Sequence, residues 1–266
     1  MKKAFFYLVI FLMIQFFASY LFTLVAMLID MSAQSTPMLI AASLVSSVVA
    51  VALFVWRKWT PVGRAFMKSH PWAVLTWSAV AALGAIVPSM WLSDVLPELP
   101  NVVSEELEGI MRNRWGYFAL GLGAPIAEEF VFRGAMLRSL LDWGEQKHLS
   151  HWWPIAISAV LFSVAHFNPA QMVHAFLIGL LLGWMYYRTG SIIPGIVYHW
   201  VNNTVAYVME NLMPGTEHLS DLFGDNPVRI GMSVLFSLFI LVPALYQLHL
   251  NMKAPLSSPP GGEPSA

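Results

Sequence analysis

Residues 148–187 read HLSHWWPIAISAVLFSVAHFNPAQMVHAFLIGLLLGWMYY, 40 consecutive positions without Asp, Glu, Lys or Arg. Lys147 and Arg188 bound the run. Uncharged sequence of this length reads as membrane-spanning, since roughly 20 apolar residues cross a hydrocarbon core. Asn168-Pro169 interrupts it. Proline has no N–H and pushes the residue before it out of helical geometry, so the run divides into two helices, 153–167 and 170–187. Gly179 and Gly183 in the second form a GxxxG arrangement that suits close helix packing.

The rest of the chain has the same character. Of 266 residues, 58% are hydrophobic and only 11% charged, with a mean hydropathy of +0.64. Six more apolar segments, 4–29, 38–56, 71–91, 115–141, 190–208 and 230–250, bring the expected number of spans to eight. The uncharged stretch 4–29 follows Lys2 and Lys3 and, at 26 residues, exceeds the core of a signal peptide; it reads as a retained first span. In lipid, backbone polar groups must be satisfied within the segment, and these runs are too long for barrel strands. The expected fold class is therefore all-α, a polytopic integral membrane helical bundle of about eight transmembrane helices.

Charge placement orients it. Lys2 and Lys3, then Arg57, Lys58, Arg64 and Lys68, then Lys147, Arg188 and Lys253 fall on alternate connections. The acidic residues Asp94, Glu98, Glu105, Glu106, Glu108, Glu210, Glu217, Asp221 and Asp225 fall on the others. By the positive-inside rule both termini are cytoplasmic, with Arg112, Arg114 and Arg229 as exceptions on the outer side. The tryptophans cluster near the expected interfaces. Residues 253–266, ending PPGGEPSA, read as a flexible tail after a single transmembrane domain spanning 1–252.

Several function classes drop out. A net charge of -1 and the lack of a basic face give no footprint for nucleic acid. Neither GxGxxG nor GxxxxGK[ST] occurs, so no nucleotide site is argued. With no cysteine there is no thiolate nucleophile, disulfide or Cys-bound metal.

Three polar clusters stand out inside the apolar spans. Residues 127–134, AEEFVFRG, hold Glu128, Glu129 and Arg133. Glu129 and Arg133 are four apart and share a helical face, so they read as a helix-locking ion pair. Glu128 is turned about 100° from Glu129 on a helix and must look elsewhere. The second cluster is Phe162 and His166, one turn apart before Asn168-Pro169. The third is His199 and Asn203, four apart, with Asn202 read as lying on another face. Gln171 and His174 open the span after Pro169, where lining a cavity and lying at the interface are both open. Ionisable groups in lipid are costly unless paired or wet, and convergence on one watery cavity removes that cost.

Such a set has the parts for peptide hydrolysis. Glu128 can take a proton from water, His166 can orient that water, and His199 and Asn203 can donate to the developing oxyanion. Glu128, His166 and His199 are also a ligand set for zinc, with a fourth position for water. The residues leave both arrangements open. HExxH and GxSxG signatures are absent.

The pattern resembles the CAAX protease and bacteriocin-processing family of intramembrane proteases, also called CPBP or Abi proteins. Glu128, Glu129 and Arg133 match its EExxxR motif, Phe162 and His166 match FxxxH, and His199 and Asn203 match the third. The resemblance covers about 115–210, the expected catalytic core. It implies Glu128 as general base, His166 assisting, His199 and Asn203 at the oxyanion, and Glu129 with Arg133 orienting the catalytic glutamate. No cofactor is required by the glutamate mechanism it favours, and zinc is the alternative. The implied partners are the bilayer and a membrane protein or a lipidated or hydrophobic peptide substrate, with a role in bacteriocin maturation or self-immunity. The expected location is a bacterial inner membrane. A non-catalytic membrane interaction or immunity protein and a proton-coupled transporter are the competing readings.

Overall fold

The computed structural model describes residues 1–32, 34–61 and 65–252. Arg64, Lys253 and the tail 253–266 lie outside the described residues. Among those described the chain is helix and loop, with no strand. Helices α1 (Lys2–Leu28) and α2 (Thr36–Trp56) are followed by a short α3 (Ala65–Lys68), then α4 (Trp72–Val95) and α5 (Ser104–Met111). An unbroken helical run comes next: π1 (Tyr117–Gly123), α6 (Ala124–Glu128), π2 (Glu129–Leu137) and α7 (Arg138–Gln146). Then come α8 (Trp152–Val164), α9 (Pro169–Thr189), α10 (Ile193–Leu212), α11 (Leu219–Phe223) and α12 (Pro227–Asn251).

Five of these, α1, α2, α4, α9 and α12, are long and apolar enough to cross a membrane, so the expected eight spans are corrected to five. The physical reason lies in where the polar motifs fall. The 153–167 segment forms α8, only 13 residues, about 20 Å at 1.5 Å per residue against a core of about 30 Å. The 115–141 segment is helical but divided by π turns and interrupted by Glu128, Glu129 and Arg133. Helix α10 has 20 residues, yet His199, Asn202, Asn203, Thr204 and Glu210 reduce its hydropathy. The three segments that fall short are the three that carry the motifs. The architecture remains that of a polytopic helical membrane bundle.

Local chemistry sets the helix ends. Proline occupies the first turn of α2, α9, α10 and α12, where a missing N–H costs nothing and φ is already helical. Asn226 caps α12, its side chain accepting from the N–H groups of Val228 and Arg229. Gly190, at φ 62, closes α9 in the left-handed conformation.

Small residues draw the helices together. A Cβ built at Gly179 would lie 3.0 Å from Ala159 Cα, and one at Gly183 would lie 2.9 Å from Ile155 Cγ2. The GxxxG arrangement thus seats α9 against α8. Two buried clusters follow: Tyr7, Phe11, Phe54, Phe132 and Phe162 among others, and Ala81, Leu182, Met185, Tyr198 and Leu248 among others. Phe5, Phe16 and Leu28 on α1, and Phe236, Phe239 and Val242 on α12, are exposed, apolar faces suited to lipid.

Polar contacts gather at the two ends of the helices. At one, Trp59 packs on Phe6 and Tyr7, Arg138 Nη2 donates to Trp59 O at 3.0 Å, and Arg188 Nη2 donates to Met252 O at 2.7 Å. At the other, Arg112 pairs with Glu108 and Glu210, His218 meets Asp94, and Asn168 holds Asn101 and the Val102 N–H.

Candidate active site

The site is built on the run from π1 to α7. A π turn is a widened turn, usually placed where function requires a particular side-chain direction. Here Glu128 ends α6 and Glu129 begins π2. The widened turn is braced from α2's exit: Thr60 Oγ1 donates to Phe130 O at 2.6 Å, and Thr60 occupies the space beside Gly134.

The adjacent carboxylates face different surroundings. Glu129 is fully buried, with Oε1 2.7 Å from Nη1 of the equally buried Arg133. The guanidinium carbon lies 4.2 Å from the centre of the Phe162 ring, a cation–π contact that offsets some of the lost hydration. Helix α10 reaches this carboxylate only because residue 195 is glycine; a Cβ there would lie 2.5 Å from Glu129 Oε2. Glu128 instead lines a cavity of about 340 Å³.

His166, His199 and Asn203 line the same cavity. His166 sits just past the C-terminus of α8, and its Nδ1 is 2.9 Å from Phe162 O. A carbonyl can only accept, so Nδ1 carries the proton and a neutral ring leaves Nε2 as the acceptor. Phe162 touches both imidazoles edge to face, with centroids 4.9 Å from His166 and 5.9 Å from His199. The buried His199 ring lies between the two glutamates: Nε2 is 3.7 Å from Glu128 Oε2 and Nδ1 is 3.5 Å from Glu129 Oε1. Asn203 Nδ2 donates to Leu120 O at 2.9 Å, and its Oδ1 accepts from Asn202 Nδ2 at 3.3 Å. These two bonds fix which end of the amide is the donor.

The structure therefore brings Glu128, His166, His199 and Asn203 to one cavity, with Phe162 in its wall and Glu129 and Arg133 behind it. Among the described residues no three of His, Asp and Glu are gathered as a metal-holding group. Glu128, His166 and His199 do not form such a group in this arrangement.

Comparison with known proteins bears on the same stretch. Residues 111–205 match the family model described as type II CAAX prenyl endopeptidase, Rce1-like. The matched segment includes all three motifs, with Glu128, His166, His199 and Asn203. It excludes α1 to α4, and α5 up to its last residue. No curated protein and no solved structure matches the chain.

Three cavity residues within the matched segment carry a weaker signal in the sequence. Asn202 was placed on a different face, but it lines the cavity and bonds Asn203. Its spacing of three from His199 was the available signal, because i, i+3 and i+4 share one helical face. Gln171 and His174 also line the cavity. Asn168 turns the chain so that the first turn of α9 borders the chamber, which composition alone does not reveal.

Proposed function

We propose that this protein is an intramembrane endopeptidase that hydrolyses a peptide bond by glutamate-activated water. One observation carries the reading: a carboxylate, two imidazoles and a side-chain amide from α6, α8's end and α10 line a single cavity. The Rce1-like match over 111–205 supports it.

Water bound between Glu128 and His166 would donate one hydrogen to the Glu128 carboxylate and the other to the unprotonated Nε2 of His166. Glu128 takes the proton as the water oxygen attacks the scissile carbonyl. The charge that develops on the carbonyl oxygen is met by N–H donors of Asn203 and His199, in a chamber whose apolar walls strengthen such contacts. The proton held by Glu128 then passes to the leaving amine, and the carboxylate is restored. Glu129 and Arg133 act as positioning residues behind His199.

The substrate is a hydrophobic or lipidated peptide or a membrane protein, reached from the bilayer. Bacteriocin maturation or self-immunity in a bacterial inner membrane fits that chemistry. Lys2 and Lys3 ahead of α1 favour a cytoplasmic N-terminus.

The deciding experiment offers membrane-derived peptides to purified protein in detergent. Wild-type protein is expected to hydrolyse at least one, and Glu128→Ala to lose about 100-fold or more of that turnover. Unchanged cleavage by Glu128→Ala would remove Glu128 as the base. pH-driven flux in sealed vesicles without peptide cleavage would establish a transporter instead.

A further inference from the structure

Glu128, Phe162 and His166 face two cavities. On the α9 and α10 side lies the chamber of about 340 Å³, whose wall carries His174, His199, Asn202 and Asn203. On the other side lies a slot of about 260 Å³, walled by Phe11, Gln15, Phe132, Ala165 and Phe167. The residues not shared differ: the chamber adds His174, His199 and the two asparagines among apolar neighbours, whereas the slot adds phenylalanines and Ala165 with Gln15 as its added polar side chain.

Two features of the slot lack any use in the mechanism above. Gln15 is an amide midway along α1, in a stretch with no charged residue from 4 to 29. Its side chain makes no hydrogen bond to another described residue, an expensive state within a bilayer unless a partner arrives. Phe167, at φ 50, holds a left-handed backbone that bulky residues rarely adopt. It is 63% exposed at the slot. Backbone strain of this kind persists where the surroundings enforce it, often at ligand clamps.

We infer that the slot is a second substrate subsite: it takes a large apolar side chain next to the scissile bond, while the Gln15 amide pairs with the adjoining peptide backbone. The inference rests on the peptidase reading and adds to it a specificity element from α1, which lies outside the matched stretch 111–205. A peptide running from chamber to slot must pass Glu128 and His166, so its bond is presented to the proposed base. Neighbouring residues of an extended strand point to opposite sides, which lets one side chain enter the slot while the next faces the chamber.

The test uses fluorescence-quenched peptides that differ only in Leu or Gly on either side of the cleaved bond. Wild-type protein is expected to favour Leu at one of these positions by about tenfold or more in kcat/KM. Ala165→Phe, which fills the slot, is expected to collapse that ratio towards one. A second measurement does not depend on turnover. The chain has no cysteine, so Gln15→Cys carries a single thiol. In a Glu128→Gln background it is expected to form a disulfide with a peptide bearing Cys at the favoured position. Equal cleavage of Leu and Gly peptides, or no crosslink at position 15, overturns the subsite and leaves the peptidase reading intact. Failure of wild-type protein to cleave any peptide overturns both.

Discussion

His199 Nδ1 lies 3.5 Å from Glu129 Oε1, and the same carboxylate oxygen lies 2.7 Å from Arg133 Nη1. The buried pair therefore bears on the imidazole, whose opposite nitrogen faces Glu128. Nδ1 makes no hydrogen bond in this arrangement, so an influence of Glu129 on His199 is expected to act through its charge and not through a fixed tautomer.

Glu129→Gln keeps the shape and removes the charge. It is expected to lower kcat by roughly tenfold or more while leaving KM nearly unchanged, the mark of an interaction made in the transition state. Steady-state kinetics on a cleaved peptide checks this. A change confined to KM would assign Glu129 to substrate binding.

Arg133→Ala should mainly damage stability. It leaves the Glu129 carboxylate buried without its cation, a change that costs about 3–5 kcal/mol in comparable pairs. The measurement is the thermal unfolding midpoint in detergent. The double variant Glu129→Leu with Arg133→Met removes both charges and is expected to regain much of that stability without regaining hydrolysis. Recovery of full activity would deny the pair any role at His199.

The loop before α11 is expected to respond to pH. His218 Nδ1 lies 2.8 Å from Asp94 Oδ1, and this hydrogen bond raises the His218 pKa above its ordinary 6.5, with Asp221 and Glu217 adding attraction. A raised pKa means that the protonated ring is favoured in the folded protein. Its stabilisation is complete below about 6.5 and fades as pH rises through the raised folded value. The backbone N–H groups of His218 and Glu217 hold Asp221 below its usual carboxylate range, so that residue stays charged throughout. The unfolding midpoint of wild-type protein should fall relative to Asp94→Asn as pH rises above the ordinary histidine value of 6.5 and through the raised folded one. The effect should be small, because the pair is solvent-screened. Parallel pH curves for the two proteins would remove this contact from the pH response.

Chelation separates the two chemistries open to Glu128, His166 and His199. Activity of purified protein is expected to survive prolonged treatment with EDTA and 1,10-phenanthroline. Loss of hydrolysis that returns only with added zinc would establish a metal-bound water in place of a glutamate-activated one.

The sequence carried the helical membrane character without help from tertiary structure. Uncharged runs such as 148–187 and 4–29 leave the backbone no option in lipid except internal hydrogen bonding, and Asn168-Pro169 marks a break by covalent geometry alone. The resemblance to CAAX proteases was likewise readable from Glu128, Glu129, Arg133, Phe162, His166, His199 and Asn203. The number of long apolar helices was not. Hydropathy in the sequence counted 115–141, 153–167 and 190–208 as full spans, but they form a π-interrupted run, a 13-residue helix and a polar 20-residue helix.

Tertiary structure decided which polar residues meet. Periodicity could place His199 and Asn203 on one face, because that depends only on the 3.6-residue turn. It could not place Glu129 near His199, Gln15 on a cavity that Glu128 and His166 also line, or Arg133 over Phe162. Those contacts depend on how separate helices pack: Gly195 lets α10 reach a buried carboxylate, while Gly179 and Gly183 seat α9 on α8. The bilayer requirement is local to each segment and is written along the chain, whereas the site is a product of close approach between segments far apart in sequence.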